Sequence, residues 1–244
     1  EKVTMLTAYD FTTAGILDAA GIDSILIGDS ASNVMAGNAD TLPITVDQMI
    51  YHARSVARAC KHAFVVCDMP FGSYQISKEE ALRNACRMMK ETGVDALKLE
   101  GGVEIADTVK AMVDAGIPVH GHLGLTPQSV NKFGGYGIRA KEEAEAQKLI
   151  SDAIALDKAG VFAIVLEKVP AKLAAEVTRQ VKAVTIGIGA GNSCDGQVLV
   201  YADALGMTQG FKPKFLRHFA HVGEEMQKGV KAYIDAVKST EYPS

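Results

Sequence analysis

Short β-rich runs alternate with longer segments of helical period along most of this chain, and that alternation limits its folds to a few. The runs are Val3–Thr7, Ser24–Gly28, Phe64–Asp68, Ala96–Glu100, Pro118–Leu123, Ala163–Glu167 and Thr185–Gly189, with a weaker one around Gln197–Tyr201. Repeated strand–helix alternation predicts a parallel sheet covered by helices. A closed (β/α)8 TIM barrel takes about 250 residues. With 244 residues there is little room for a second domain. The expectation is an α/β chain forming a single (β/α)8 barrel domain over 1–244, with C-terminal helices. An open doubly wound sheet is the alternative.

The helical segments carry their own signals. Thr45 with Gln48, and Ser77 with Glu80, have capping-box spacing, in which a side chain at each end satisfies the other's free amide. Met49, Ala53, Val56, Ala57 and Cys60 then repeat on one helical face. Gly93 stops the helix that follows Ser77. Glu224–Lys238 predicts an amphipathic helix with Met226, Val230, Tyr233, Ile234 and Val237 on one side. That face either covers the barrel or meets a neighbouring subunit. Two connections, Asp29–Ile44 and Leu125–Ala140, exceed the usual 2–6 residues. The second holds Gly134, Gly135 and Gly137, so it reads as a lid or as surface slack.

Composition narrows the function classes. Apolar residues make up 48% and charged ones 22%, as in ordinary globular proteins, which excludes a disordered or fibrous chain. The balance of 25 basic against 29 acidic residues, with no basic stripe, argues against a nucleic-acid partner. No apolar run approaches the ~20 residues of a membrane span. Cys60, Cys67, Cys86 and Cys194 lack CxxC spacing, so they read as reduced thiols in a cytosolic protein. The chain begins at Glu1, not Met, as expected of a trimmed start, and a cleaved leader stays open.

The polar residues that matter fall at strand ends. Gly28-Asp29-Ser30 ends one strand and Asp68 the next. Lys98 with Glu100, then His120 with His122, and finally Glu167, occupy the three after that. Residues two apart in a strand share a face, so Lys98 and Glu100 point together, as do His120 and His122. In a barrel these ends converge on the rim where active sites are built. Charges there are costly unless paired or bound to a metal.

Asp29, Asp68 and Glu100 are hard oxygen ligands that suit Mg2+ better than zinc. Lys98 could hold an anionic substrate and His122 could donate to a carbonyl or carboxylate. His120 reads equally well as a core residue. Glu167, apart from the metal acids, is placed to act as a general base. A 2-oxo acid held through its carbonyl on a metal would have an acidified C–H for such a base to remove. This is enolate chemistry. The glycine run 187–192 follows the seventh strand, where barrels often bind phosphate, but a tight turn explains it as well.

The same residues carry a resemblance. Thr7-Ala8-Tyr9-Asp10, Gly28-Asp29-Ser30, Thr41-Leu42-Pro43, Asp68-Met69-Pro70-Phe71 and Lys98-Leu99-Glu100-Gly101-Gly102 are joined by Gly121 to Ser129, Phe133 to Tyr136, Leu166-Glu167 and the glycine run. With these motifs the chain resembles the ketopantoate hydroxymethyltransferase family from about Thr4 to Tyr242.

The resemblance implies a barrel of the phosphoenolpyruvate/pyruvate superfamily type, a cytoplasmic enzyme and a homo-oligomer, commonly a decamer. It implies transfer of a hydroxymethyl group from 5,10-methylenetetrahydrofolate to 3-methyl-2-oxobutanoate, giving 2-dehydropantoate for pantothenate synthesis. It further implies Mg2+ on Asp29, Asp68 and Glu100, the last through water. Asp29, Ser30, Asp68 and Lys98 would contact the oxo acid, His122 would be a substrate-side donor and Glu167 the proton acceptor. The chain departs from the family where Ala31-Ser32-Asn33 replaces the usual Leu-Gly-Met. The competing expectation is a Mg-dependent C–C lyase or phosphomutase of the same superfamily, yet a Lys-Lys-Cys-Gly-like catalytic loop is absent from the sequence. A non-catalytic scaffold would have lost the rim acids, and they are all present.

Overall fold

A computed structural model describes residues 1–208, 210 and 213–243. The chain divides into two compact units, Glu1–Val198 and Leu199–Ser244. Parallel strands β1 (Val3–Thr7), β2 (Ser24–Ile27), β3 (Phe64–Asp68), β4 (Ala96–Glu100), β5 (Val119–Gly124), β6 (Ala163–Glu167), β7 (Val184–Ile188) and β8 (Gly196–Leu199) pair in chain order. They close into a barrel, which decides against the open sheet. The covering helices include α1 (Phe11–Ala19), α2 (Ala31–Val34), α3 (Val46–Ala59), α4 (Lys78–Thr92), α5 (Ala106–Asp114), α6 (Val130–Phe133), α7 (Glu143–Ala159) and α8 (Ala171–Gln180).

β2 and β4 are buried at every position, as expected of strands covered on both faces. Inside the barrel, Met5, Leu26, Val66, Ala96, Val165, Ile186 and Val198 form one apolar cluster. Strand alternation then fixes what lies nearer the C-terminal rim. Two residues beyond Val66, Ala96 and Val165 come Asp68, Lys98 and Glu167, on the same inward face. The register pairs Lys98 with His120 and Glu100 with His122 across β4 and β5. The apolar plug is thus the floor under the polar rim.

The caps follow the sequence. Thr45 and Gln48 complete the box at α3, with Thr45 N donating to Gln48 Oε1 (2.8 Å) and Gln48 N to Thr45 Oγ1 (3.3 Å). At α4, Ser77 Oγ accepts from Glu80 N at 3.1 Å, the forward half of the same device. Gly93 ends α4 in the left-handed region, φ 79°. β5 starts one residue later than expected, at Val119. β8 starts one residue earlier, at Gly196, where a Cβ would stand 2.5 Å from the Val3 carbonyl oxygen. The glycine lets the last strand approach the first. The two long connections are not slack, for α2 lies in one and a 3-10 turn at Pro127–Ser129 followed by α6 lies in the other.

The second unit contains α9 (Tyr201–Ala204) and α10 (Val222–Lys238), the latter two residues longer than the predicted amphipathic helix. No residue of α10 is buried, and Met226, Val230, Tyr233, Ile234 and Val237 are all exposed. No helix among the described residues is long and apolar enough to cross a membrane.

Candidate active site

The C-terminal rim brings Asp29, Asp68, Lys98, Glu100, His122 and Glu167 into one chain of contacts. Asp29, just past β2, donates its backbone N–H to Asp68 Oδ2 at 2.9 Å. Asp68 Oδ1 stands 3.0 Å from Lys98 Nζ, an ion pair without the angle of a directed hydrogen bond. Lys98 Nζ lies 3.1 Å from His122 Nδ1. Glu100 Oε1 is 3.4 Å from the same nitrogen. Glu167 Oε2 is 3.3 Å from His122 Nε2, and its side chain keeps 17% exposure where the others keep 4%. Glu167 therefore faces the opening.

Ser30 is fixed from below. Its hydroxyl is 2.8 Å from Tyr9 Oη, and Tyr9 is itself buried, its carbonyl 2.7 Å from His52 Nδ1. Glu167 is fixed by its surroundings. Leu125 N donates to the Glu167 carbonyl at 2.8 Å, and a Cβ on Gly124, φ 89°, would come 2.3 Å from that oxygen. Lys168, the next residue, holds a left-handed backbone, φ 46°. Its N–H donates to Ile188 O and its carbonyl accepts from Arg139 N, both at 2.8 Å, which hold that strained conformation. Lys168 Nζ also donates to Tyr136 O at 3.0 Å, so the Leu125–Ala140 connection is tied down beside Glu167.

Electrostatics mark these acids as unusual. Burial, reinforced by Glu100 and Asp68, pushes the Asp29 carboxyl well above its ordinary range. Burial also raises Asp68, against the opposing pull of Lys98. Burial and Lys98 push His122 down, but Glu100 and Glu167 outweigh them and lift it to about 9. Its Nδ1 lies between the Lys98 ammonium at 3.1 Å and Glu100 at 3.4 Å, and its Nε2 faces Glu167 without the angle of a directed hydrogen bond. His120 is different. Burial, with Lys98 and His122 nearby, holds it well below its ordinary value. It is fully buried on Phe162 (ring centroids 5.5 Å apart) and neither ring nitrogen has a hydrogen-bond partner. It is a core residue.

The donor set fits a hard cation. Asp29 and Asp68 sit side by side with their charged forms disfavoured, the condition a divalent ion would relieve, and Asp68 Oδ1 has no directed hydrogen bond. Among the described residues no three His, Cys, Asp or Glu side chains are arranged to hold a metal. Mg2+ does not require three, since it is commonly held by one or two carboxylates with water and substrate oxygens. Glu100 is the acid set apart, engaged by His122 and by Gln128 N, which donates to its Oε2 at 2.9 Å.

Gln128 and Tyr74 are the residues that strand-end reasoning missed. Gln128 Nε2 donates to Asp29 Oδ2 at 2.9 Å, and Tyr74 Oη donates to Gln128 Oε1 at 2.7 Å. Both lie in connections, where no periodicity points at them. The glycine run behaves as a turn. Gly189 and Gly191 are left-handed, and a Cβ on Gly191 would come 2.5 Å from that of Ala171.

A family model described as ketopantoate hydroxymethyltransferase matches residues 1–244. The 3-methyl-2-oxobutanoate hydroxymethyltransferase of Christiangramia forsetii is 63% identical over 100% of this chain and 90% of its own length. The protein of the same name from Phocaeicola vulgatus is 60% identical over 100% and 89%. Solved structures share the barrel at low identity. Phosphoenolpyruvate phosphomutase from Streptomyces platensis has a TM-score of 0.64 and 14% identity, covering 98% of this chain and 84% of that one. A phosphonopyruvate hydrolase in complex with oxalate and Mg++ has a TM-score of 0.64 and 11% identity, covering 99% and 83%. 2,3-Dimethylmalate lyase, a member of the PEP mutase/isocitrate lyase superfamily, has a TM-score of 0.59 and 14% identity, covering 100% and 83%. The family model spans the whole chain and the relatives are 60% and 63% identical over all of it, so the chain belongs to the ketopantoate hydroxymethyltransferase family.

Proposed function

We propose that this chain transfers a hydroxymethyl group from 5,10-methylenetetrahydrofolate to 3-methyl-2-oxobutanoate, giving 2-dehydropantoate. Asp29 and Asp68 would hold Mg2+, with Glu100 reaching it through water. The observation that carries the reading is the separation of the carboxylates by role. Asp29 and Asp68 are crowded and buried, while Glu167 stands beyond His122 and faces the opening. The name shared by relatives at 60% and 63% identity supplies the substrate. A barrel of the same fold that was solved with oxalate and Mg++ supports the metal.

When bound, Mg2+ supplies Lewis-acid polarisation of the oxo acid's carbonyl, which acidifies the neighbouring C–H. The remaining work belongs to the chain. The Lys98 ammonium and the Ser30 hydroxyl bind the substrate's oxygens at one end. Glu167 accepts the C3 proton, C3 bonds to the methylene carbon of 5,10-methylenetetrahydrofolate as that carbon's two C–N bonds break, water supplies the hydroxyl, and the nitrogens of the departing tetrahydrofolate take up the two protons. His122 stands between Glu100 and Glu167, and its Nε2, which has no directed hydrogen-bond partner, donates toward substrate oxygen. The buried floor of Val66, Ala96 and Val165 keeps water from below. The family reading extends to a cytoplasmic homo-oligomer.

The test is C3 proton exchange in 3-methyl-2-oxobutanoate followed by NMR, with Mg2+ and without folate. Exchange that appears with Mg2+ and stops on chelation is expected, as is 2-dehydropantoate once 5,10-methylenetetrahydrofolate is added. Absence of both exchange and product from folded, Mg2+-supplied protein would overturn the reading.

A further inference from the structure

We propose that Gln128 is a positioning residue for the candidate cation site, its side-chain amide fixing the Asp29 carboxylate and its backbone N–H fixing Glu100. The inference rests on the metal reading above and adds what sets the affinity of that site.

Gln128 lies in the turn just beyond β5 and is 7% exposed. Nε2 donates to Asp29 Oδ2 at 2.9 Å and to the Met69 carbonyl at 3.0 Å. Oε1 accepts from Tyr74 Oη at 2.7 Å and from Gln75 Nε2 at 3.1 Å. A primary amide has two donor hydrogens and two acceptor lone pairs, and here all four are used. Its orientation is forced, because Met69 O and the Asp29 carboxylate can only accept. The backbone N–H adds the bond to Glu100 Oε2 at 2.9 Å.

One residue of the β5 connection therefore ties together acids delivered by β2 and β4. A neutral donor suits this place. A lysine would neutralise Asp29 and compete with a cation, whereas the amide orients one carboxylate oxygen and leaves the charge. Tyr74 backs the amide from the β3–α4 connection, and its hydroxyl also accepts from Glu100 N at 3.1 Å. The cation acids are thus braced by two loops that themselves carry no metal-ligating side chain in the proposed set.

The experiment is calorimetric titration of Mg2+ into the folate-free protein, with thermal unfolding measured on the same samples without Mg2+. Gln128→Leu keeps the volume and removes the donor to Asp29. It is expected to weaken Mg2+ binding by about 10–100-fold, the range for partners that orient metal ligands. Tyr74→Phe, which keeps Gln128 and removes only its backing hydroxyl, is expected to weaken binding by less. At saturating Mg2+ most of the lost turnover should return, because Asp29 and Asp68 remain. A purely structural role would lower the unfolding temperature and leave the Mg2+ affinity of the folded protein unchanged. Wild-type affinity in folded Gln128→Leu, or in Tyr74→Phe should the first variant not fold, overturns the inference. Wild-type protein that binds no Mg2+ overturns the metal reading itself and the inference with it.

Discussion

At the N-terminal end of the barrel, Asp18 accepts from the amides of Lys61, His62 and Ala63 at 3.0, 3.0 and 2.8 Å, and Asp23 accepts from Thr4 N at 2.8 Å. At the C-terminal end, Asp29 and Asp68 face each other, Glu100 and a single lysine. The same carboxylate responds in opposite directions. The amides of Ala63 and His62 hold Asp18 below its ordinary range, and the Thr4 hydroxyl and amide do the same for Asp23. Burial holds Asp29 and Asp68 above it.

At the N-terminal end the pattern recurs along the sheet. The residue before β4, Asp95, accepts from Val65 N at 2.8 Å, and the residue before β8, Asp195, from Thr185 N at 2.9 Å. Before β6 that place is taken by Phe162, which packs on Phe64 and His120. One end of the barrel uses acids to finish backbone hydrogen bonding. The other accumulates acids whose charge the fold leaves only partly compensated, which is the mark of a site built for something else.

The comparison breaks most visibly at Asp68. Asp68→Ala, and likewise Asp29→Ala, should take Mg2+-dependent turnover to background while the thermal unfolding midpoint holds or rises. Wild-type turnover at limiting Mg2+ in either variant would remove that acid from the site. Next comes Glu167→Gln, which keeps shape and removes the base. Turnover and C3 exchange should fall together by about 10²–10⁴-fold with Mg2+ and oxo-acid binding nearly unchanged. Exchange retained at saturating substrate would exclude Glu167 as the base.

At the opposite end, Asp95→Ala leaves the Val65 amide without its acceptor. It should cost about 1–3 kcal/mol in urea unfolding and leave kcat alone. A loss of kcat without a loss of stability would reverse the assignment of the two ends.

The pH dependence separates the ends by sign. Asp18 is depressed in the folded state, so its contribution is present above the unfolded value of about 3.9 and is lost as pH falls through the lower folded value. Asp68 is raised, so its folded form favours the proton, and the stability it lends below about 3.9 is lost as pH rises through the folded value. In urea titrations without Mg2+, Asp18→Asn should therefore be less stable than wild type near neutral pH, with the gap closing toward acid. Asp68→Asn should be the more stable variant near neutral pH, its advantage shrinking toward acid. Parallel curves for the two variants would contradict this account. The smallest expected effect is slower amide exchange across Leu125–Ala140 on adding Mg2+ and oxo acid, and unchanged exchange would count against a lid.

Much of the molecule was legible because strand patterns are local. Val3–Thr7, Phe64–Asp68, Ala96–Glu100 and Ala163–Glu167 begin and end where their apolar runs do. The apolar run extends β5 back to Pro118, but the strand starts at Val119, because the proline nitrogen has no hydrogen to give the ladder. The weaker run around Gln197–Tyr201 differs at both ends from β8, which starts at Gly196, where a Cβ would meet the Val3 carbonyl, and stops at Leu199, before Tyr201 opens α9. The acids at strand ends stood out because a charge after an apolar run needs a partner. Gln128 and Tyr74 gave no such signal. A neutral amide and a phenol in connections look the same whether they face solvent or brace a carboxylate.

The sequence by itself determined the strand–helix alternation and which residues share a face along each strand, because a period of two carries any residue's orientation along its own strand, while closure of the sheet into a barrel was decided by the structure. Tertiary structure alone decided which rim groups meet. Gln128 and Asp29 are 99 positions apart and touch only because closing the sheet brings the β5 connection over the end of β2. Likewise the same aspartate side chain is stabilised at one end and strained at the other. That difference depends on whether backbone amides or other carboxylates surround it once water is gone, and no local pattern records it.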